Sequence, residues 1–187
     1  MLSMTKLPSA LPLQGIEAGQ GPVLVLLHGA GVDLNLWAPQ MPDFSARHRV
    51  IALNLPGHGD SPMRPGGVPA MAQAVIDTLD ILGIQCAPFV GLSLGGMVAL
   101  EIAGRWPDRT SHLVMVESVP YVAATPWGRR LMAAAILPLH MIPTRWLAKL
   151  PTKSMGAETE DAGRYVKAAL ARMTAARTSA IDRKSVG

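Results

Sequence analysis

The serine at position 93 lies in the most chemically informative stretch of the chain. Residues 90–96 read Val-Gly-Leu-Ser-Leu-Gly-Gly, so Gly91 and Gly95 stand two residues before and two residues after the serine. An apolar run at 87–90 precedes this stretch and a helical pattern follows it. On a sharp strand-to-helix turn, glycines at these two positions let the backbone close without clashes and leave the hydroxyl exposed. The spacing predicts a nucleophile elbow with Ser93 as the nucleophile.

The chemistry open to such a serine is attack on a carbonyl carbon. A serine hydroxyl is a poor nucleophile at neutral pH, and it needs a hydrogen-bonded base that removes its proton during the attack. The tetrahedral intermediate then needs N–H donors aimed at its oxyanion. The dipole of the helix that follows Ser93 favours the same negative charge. Acyl transfer is therefore the reaction class that we predict.

Two further turn-forming clusters follow apolar runs of the kind that form buried strands. Residues 28–31 read His-Gly-Ala-Gly and follow the run 23–27, and residues 56–59 read Pro-Gly-His-Gly and follow the run 50–54. Ligands of parallel sheets bind at the carboxyl ends of the strands. Because all three clusters lie at such ends, we expect them to converge on one site.

Strand-like runs and helical patterns alternate through the first two thirds of the chain. This alternation predicts a mostly parallel α/β sheet with right-handed crossovers and helices on both faces. Residues 11–17 are expected to add an antiparallel edge strand. The strand-like runs are at about 23–28, 49–54, 87–92 and 112–117, and the helical patterns are near 35–45, 68–82 and 95–106.

The three clusters, in this order and spacing, resemble the α/β-hydrolase superfamily. Their residues are similar to those of the branch of small bacterial esterases and 3-oxoadipate enol-lactonases. The resemblance covers residues 10–120 well and is only positional beyond them. It implies an α/β-hydrolase fold in which the backbone N–H groups of Ala30 and Leu94 form the oxyanion hole. It also implies that His28 and Gly29 support the loop that carries the first of these donors.

The resemblance also implies where the other two catalytic groups belong. The chain order of the family is Ser, then Asp or Glu, then His, and the last two come from strands that follow a helical cap. We expect those last strands, with their Asp and His, to be missing from this chain, and the chain alone to be inactive or weakly active. His28 and His58 are minor candidates for the base, since the family uses both loop motifs structurally. Glu117 is a candidate for the acid or for a pocket-rim residue, and Asn54 departs from the Asp that many relatives carry.

The C-terminal third differs in character from the rest. We interpret residues 1–119 as the N-terminal part of an α/β-hydrolase core, and residues 120–181, with their prolines and their Ala, Met, Leu and Arg, as a helical cap or lid. Residues 182–187 do not continue the helical pattern and resemble the translation of a sequencing adapter. They are expected to be a non-native tail.

Composition excludes several classes of function. The chain has 187 residues and a net charge of +4, and its cations are not interleaved with aromatic residues, so we expect no nucleic-acid partner. Cys86 is the only cysteine, so an internal disulfide is impossible, and we expect its side chain to be buried before a strand. The N-terminus has no apolar leader region, and the longest apolar stretch, 131–142, is interrupted by Pro138. These features predict a cytoplasmic protein that does not enter a membrane.

The remaining interpretations concern the ligand. The histidines are scattered and no phosphate-loop lysine follows the glycines near Ser93, so we expect no metal and no cofactor. The leading hypothesis is a serine hydrolase that acts on a small carboxylic ester or lactone through an acyl-Ser93 intermediate. One alternative keeps the same site in an acyltransferase, a perhydrolase or a carbon–carbon hydrolase. Another is a catalytically incomplete binding module or fragment. The oligomeric state is not predicted.

Overall fold

A computed structural model describes residues 4–118, which belong to a compact unit, Met1–Pro120. The expected cap at 120–181 and the expected tail at 182–187 lie outside the described residues. The expectation that the last strands of the fold are missing also concerns the region after residue 118, outside the described residues. The fold given below is that of residues 4–118, which lie within the predicted core.

The described residues form one six-stranded sheet with helices on its two faces. The strands are β1 (Met4–Lys6), β2 (Gly15–Ala18), β3 (Val23–Leu27), β4 (Arg49–Leu53), β5 (Ala87–Leu92) and β6 (Thr110–Val116). The α-helices are α1 (Met41–Ser45), α2 (Gly67–Ile81) and α3 (Leu94–Arg105), and 3₁₀-helices span Leu34–Trp37 and Pro107–Arg109. The strand order is β1-β2-β4-β3-β5-β6.

The mostly parallel sheet that the alternation predicts is confirmed. β3 pairs in parallel with β4 and with β5, and β5 pairs in parallel with β6, whereas the β1–β2 and β2–β4 pairs are antiparallel. Leu27, the last residue of β3, pairs with Leu53 on one side and with Gly91 on the other. In this register the carboxyl ends of β3, β4 and β5 lie level, so the three clusters that follow these strands lie at the same end of the sheet.

The prediction of an edge strand at 11–17 is wrong in its bounds and its position. The strand there is β2, and β1 pairs along its outer side, so β2 is not the edge. Proline lacks the N–H that a strand ladder needs, and Pro8 and Pro12 flank a turn in which the Leu11 N–H donates to the Pro8 carbonyl oxygen at 3.2 Å. Pairing therefore begins only at Gly15.

Both faces of the sheet are apolar, and alternate residues of the strands supply the two cores. Val25 and Leu27 pack with α2 and α3 on one face, whereas Leu24 and Leu26 pack with α1 and the Leu34–Trp37 3₁₀-helix on the other. The central strands are thus covered on both sides, as parallel strands require. Among residues 4–118, no helix is long and apolar enough to cross a membrane.

Two local predictions are also corrected. The helical pattern near 35–45 becomes a 3₁₀-helix and the five-residue α1, because Pro39 and Pro42 cannot donate the hydrogen bonds of a continuous helix. Cys86, expected to be buried, is exposed. It lies in the loop before β5, where the guanidinium of Arg109 holds the neighbouring Gln85 carbonyl oxygen at 2.6 Å. Burial begins one residue later, at Ala87.

Candidate active site

Ser93 lies between the end of β5 and the start of α3, in the conformation of a nucleophile elbow. Its backbone has φ 49° and ψ −110°, and its side chain is exposed. A positive φ is strained for a residue with a Cβ atom, at a cost of about 1–3 kcal/mol, and such strain concentrates at functional sites. Backbone strain therefore accompanies the exposure of this hydroxyl.

The two predicted glycines are needed at the positions they occupy. A Cβ atom on Gly91 would overlap the carbonyl group of Gly95 and the nitrogen of Gly96, across the elbow itself. A Cβ atom on Gly95 would overlap the carbonyl oxygen of Leu27 at the end of β3. The first turn of α3 can therefore lie directly on the ends of β3 and β5 only because both side chains are absent.

Hydrogen bonds from the end of β6 hold the backbone of the elbow. The Ser93 N–H donates to the Val116 carbonyl oxygen at 3.0 Å. The Ser93 carbonyl oxygen accepts from the Met97 N–H at 3.1 Å and from the Ser118 hydroxyl at 2.8 Å. Sequence analysis did not single out Ser118, because no local motif surrounds it. Its position depends on the pairing of β6 with β5.

The loop after β3 passes beside the serine. A Cβ atom on Gly29 would lie 3.6 Å from the Cβ of Ser93, so the Gly29 backbone approaches this serine closely. The next residue, Ala30, is exposed. Within residues 4–118, neither the Ala30 N–H nor the Leu94 N–H donates a hydrogen bond. Leu94 is the first residue of α3, where helix geometry leaves the N–H groups without intrahelical acceptors.

His28 is buried beneath this loop and uses both of its ring nitrogens. Its Nε2 accepts from the Leu55 N–H at 3.0 Å, so the proton of the neutral ring lies on Nδ1, which donates to the Gly29 carbonyl oxygen at 2.7 Å. Burial lowers the pKa of His28 to about 4, although the hydrogen bond to Gly29 opposes the shift. His28 is therefore a neutral link between two loops.

His58 lies beside His28, with the ring centroids 5.0 Å apart, and both of its ring nitrogens also form hydrogen bonds with loop backbone. Its Nε2 accepts from the Gly31 N–H at 3.3 Å, so its Nδ1 carries the proton and donates to the Pro56 carbonyl oxygen at 3.1 Å. The two histidines thus connect the loop after β3 to the loop after β4. Neither has a ring nitrogen free to accept the proton of Ser93.

Asn54 makes a third connection between these loops. Its side chain is 6% exposed, and its Oδ1 accepts from the Leu34 N–H at 2.8 Å. The residue also contacts Gly59, where an added Cβ atom would overlap the amide nitrogen of Asn54. Asn54 thus has the side-chain oxygen that the Asp implied by the resemblance would supply, and this oxygen accepts the Leu34 hydrogen bond.

Glu117 follows β6 directly, next to Val116, whose carbonyl oxygen accepts the hydrogen bond of the Ser93 N–H. It is exposed and has φ 44°, the only other positive φ among non-glycine residues at 4–118. Its backbone bend places Ser118 against the elbow. Its roles as acid or as pocket-rim residue stay predictions. No group of three or more His, Cys, Asp and Glu side chains in the described part of the chain could hold a metal ion.

Comparison with known proteins shows the family to which this fold belongs. The sequence profile of the alpha/beta hydrolase fold family matches residues 22–148. The chain is 43% identical over 100 residues to the dihydrolipoyllysine-residue acetyltransferase component of the acetoin cleaving system of Pseudomonas putida, and the match covers 52% of this chain and 27% of that protein. It is 36% identical over 121 residues to the pimeloyl-[acyl-carrier protein] methyl ester esterase of Aromatoleum aromaticum, and the match covers 62% of this chain and 47% of the esterase.

The chain is also similar to solved structures. The N-acyl homoserine lactonase AidH, crystallised with N-hexanoyl homoserine, superposes with a TM-score of 0.57 at 28% identity, over 65% of this chain and 47% of the lactonase. The chain spans less than half of the length of these three proteins. Since the profile covers more than half of the chain and the sheet has the order and parallel pairing described above, the chain belongs to the alpha/beta hydrolase fold family.

Proposed function

We propose that the protein is a serine hydrolase that cleaves a small carboxylic ester or lactone through an acyl-Ser93 intermediate. One observation carries the proposal. An exposed serine lies on a strained elbow, followed by the Leu94 N–H and close to the loop that carries the Ala30 N–H, and neither N–H has an acceptor within residues 4–118. An exposed hydroxyl next to unpaired donors is the arrangement that attack on a carbonyl requires.

The chemistry proceeds in two steps. In the first, Oγ of Ser93 adds to the carbonyl carbon while a base takes its proton, and the Ala30 and Leu94 N–H groups stabilise the oxyanion. The ester C–O bond then breaks, the leaving alkoxide takes the proton from the base, and the acyl group stays on Ser93. In the second, water adds to the acyl-enzyme with the help of the same base and releases the acid. For a lactone, acid and alcohol leave as one molecule.

The base and the acid that orients it are proposed to come from outside residues 4–118. The two histidines near the site, the buried His28 and the half-buried His58, use both ring nitrogens in hydrogen bonds within and between the two loops. The chain order of the family supports the same assignment, since Ser is followed by Asp or Glu and then by His. Glu117 stays an alternative for the acid because it directly follows β6.

The substrate class is supported by relatives of this chain. Two similar proteins are a methyl ester esterase and an acyl homoserine lactonase. Both reactions pass through an oxyanion at a carbonyl carbon. A backbone donor at Ala30 suits such an oxygen, because an alanine adds no side-chain donor of its own.

Transfer of the acyl group to an acceptor other than water is a second candidate function. The relative from Pseudomonas putida that shares 43% identity over 100 residues is described as an acetyltransferase component. The first step would be the same, and a thiol or an alcohol would replace water in the second. Adding dithiothreitol or ethanol to a turnover assay distinguishes the two functions. A transferase forms the thioester or the ethyl ester as its main product at the expense of the free acid, whereas a hydrolase still forms the acid as its main product.

The direct test is turnover by the protein expressed from the full reading frame that contains these residues. We expect hydrolysis of p-nitrophenyl acetate or of a γ-lactone, and we expect Ser93→Ala to abolish it. Ser111→Ala, which changes an exposed serine of β6, is the matched control and should retain the wild-type rate. Equal rates for the wild type and Ser93→Ala would reject the proposal.

A further inference from the structure

The two peptide units that carry the N–H groups of the proposed oxyanion hole share one feature. In each of them the carbonyl oxygen accepts a hydrogen bond from a side chain. The N–H of Ala30 belongs to the peptide that carries the Gly29 carbonyl, and the N–H of Leu94 belongs to the peptide that carries the Ser93 carbonyl. Each of these two carbonyl oxygens accepts a hydrogen bond from a side chain, one from His28 and the other from Ser118. Both donor peptides are therefore bound at their carbonyl ends.

In the Gly29–Ala30 peptide, a backbone hydrogen bond to His28 determines which ring nitrogen donates to the Gly29 oxygen. The Leu55 N–H points at Nε2 of His28 and can only donate, which leaves Nδ1 as the protonated nitrogen that meets the Gly29 oxygen at 2.7 Å. His28 is completely buried, so this bond does not compete with water. The Gly29–Ala30 peptide is thus held from the interior of the protein while the Ala30 residue is exposed.

On the second peptide, the donor is brought in from a different strand. β6 ends at Val116, whose carbonyl oxygen accepts the Ser93 N–H, and the left-handed turn at Glu117 returns the chain towards the elbow. The Ser118 hydroxyl then donates to the Ser93 oxygen at 2.8 Å. Ser118 also packs against Gly96, where an added Cβ atom would lie 2.5 Å from the hydroxyl oxygen.

We propose that His28 and Ser118 are positioning residues of the oxyanion hole, each fixing and polarising the peptide whose N–H group donates to the oxyanion. The proposal rests on the proposed function. A hydrogen bond to a peptide oxygen fixes the plane of the peptide, and so it fixes the direction of the N–H on the other side. It also draws electron density towards the oxygen and makes that N–H a stronger donor, by about 10–30% per bond.

The first test measures the free protein and does not depend on activity. In ¹⁵N-labelled protein, Ser118→Ala should move the Leu94 amide ¹⁵N resonance upfield and leave that of Ala30 in place, and Ser118→Thr, which keeps the hydroxyl, should restore it. His28→Asn should move the Ala30 resonance and leave that of Leu94 in place. A general disturbance of the fold would move both resonances in each variant, and that result, or an unmoved Leu94 resonance in Ser118→Ala, would overturn the proposal.

Because His28 is buried, its variant can fail to fold, and the wild type supplies a second measurement. Long-range ¹H–¹⁵N spectra of the His28 ring at neutral pH should show a protonated Nδ1 and an unprotonated Nε2. The opposite tautomer would remove the donor to Gly29 and would overturn the assignment of His28.

The second test measures the oxyanion hole in use. A trifluoromethyl ketone forms a tetrahedral adduct with a nucleophilic serine, whereas the matching secondary alcohol has no carbonyl group. Ser118→Ala should weaken binding of the ketone by about two- to eightfold, should leave binding of the alcohol unchanged, and should be rescued by Ser118→Thr. Equal affinity in wild type and Ser118→Ala would contradict the role of Ser118. Failure of the wild type to form the adduct would instead count against the proposed function, and the amide resonances would still decide the present proposal.

Discussion

The backbone N–H of Leu55 donates a 3.0 Å hydrogen bond to Nε2 of His28, and it thereby joins the loop after β4 to the loop after β3. This bond requires an unprotonated Nε2. Protonation of the ring would place a hydrogen against the Leu55 N–H and a charge in a buried site. The neutral state of His28 is therefore a condition for the alignment of these two loops, the first of which passes beside Ser93.

Stability should depend on pH through His28. Burial lowers its pKa from 6.5 to about 4, so the unfolded chain binds this proton at a higher pH than the folded protein does. The His28 contribution is complete above about pH 6.5, and the free energy of unfolding should fall by up to about 3 kcal/mol as the pH drops towards 4. Urea unfolding at several pH values between about 7 and 4.5 measures this slope.

Matched variants separate His28 from the other groups that titrate in the same range. His28→Gln has no titrating ring and should lose the steep part of the slope below about pH 6.5, even if it is less stable at neutral pH. His112→Gln changes an exposed histidine on β6 and should keep the wild-type slope. An unchanged slope in His28→Gln would assign the pH dependence to other groups.

The elbow should not tolerate a methyl group at Gly95. The added Cβ atom of Gly95→Ala would overlap the carbonyl oxygen of Leu27, which is backbone and cannot rotate away. We expect a loss of about 1–3 kcal/mol of stability, together with a displaced Ser93. Thermal unfolding of the variant measures the loss.

Gly104→Ala is the matched control, because it lies in the same helix and its added Cβ atom would have no neighbour within 4 Å. Since alanine is the better helix former, this variant should gain about 0.5–1 kcal/mol. If Gly95→Ala were as stable as Gly104→Ala, the close packing of the elbow on β3 would be contradicted.

Asn54 should matter for stability through its side-chain oxygen. Asn54→Ala leaves the Leu34 N–H without its acceptor in a buried site, at an expected cost of about 1–3 kcal/mol. Asn54→Asp keeps an acceptor oxygen and should recover most of the loss. Asn35→Ala removes an exposed side chain whose amide donates to Asp33, and it should change stability by less than about 0.5 kcal/mol. Equal losses in all three variants, measured by urea unfolding, would contradict this account of Asn54.

Much of the sheet and the elbow could be predicted from local sequence. Strands buried on both faces are continuous apolar runs, so β3, β4 and β5 are visible as Val, Leu, Ile and Phe without any knowledge of their partners. The glycines around Ser93 reveal the elbow for a similar reason, because a close approach of two backbones excludes a side chain. Both signals are local.

What could not be predicted depends on contacts between distant residues. Ser118 is an ordinary serine until β6 pairs with β5 and brings its hydroxyl to the Ser93 carbonyl, 25 residues away in sequence. The neutral state of His28 depends on a donor from Leu55, 27 residues away. The strand β1 was missed because its three residues are exposed and have no hydrophobic pattern.

The central claim is that Ser93 is the nucleophile, and covalent labelling tests it most directly. The protein expressed from the full reading frame that contains these residues is treated with a fluorophosphonate, which reacts with activated serines, and the modified peptide is identified by mass spectrometry. We predict one phosphonyl adduct, on Ser93, that is absent in Ser93→Ala and present in Ser111→Ala. An adduct on another residue, or ester hydrolysis that survives Ser93→Ala, would contradict the account.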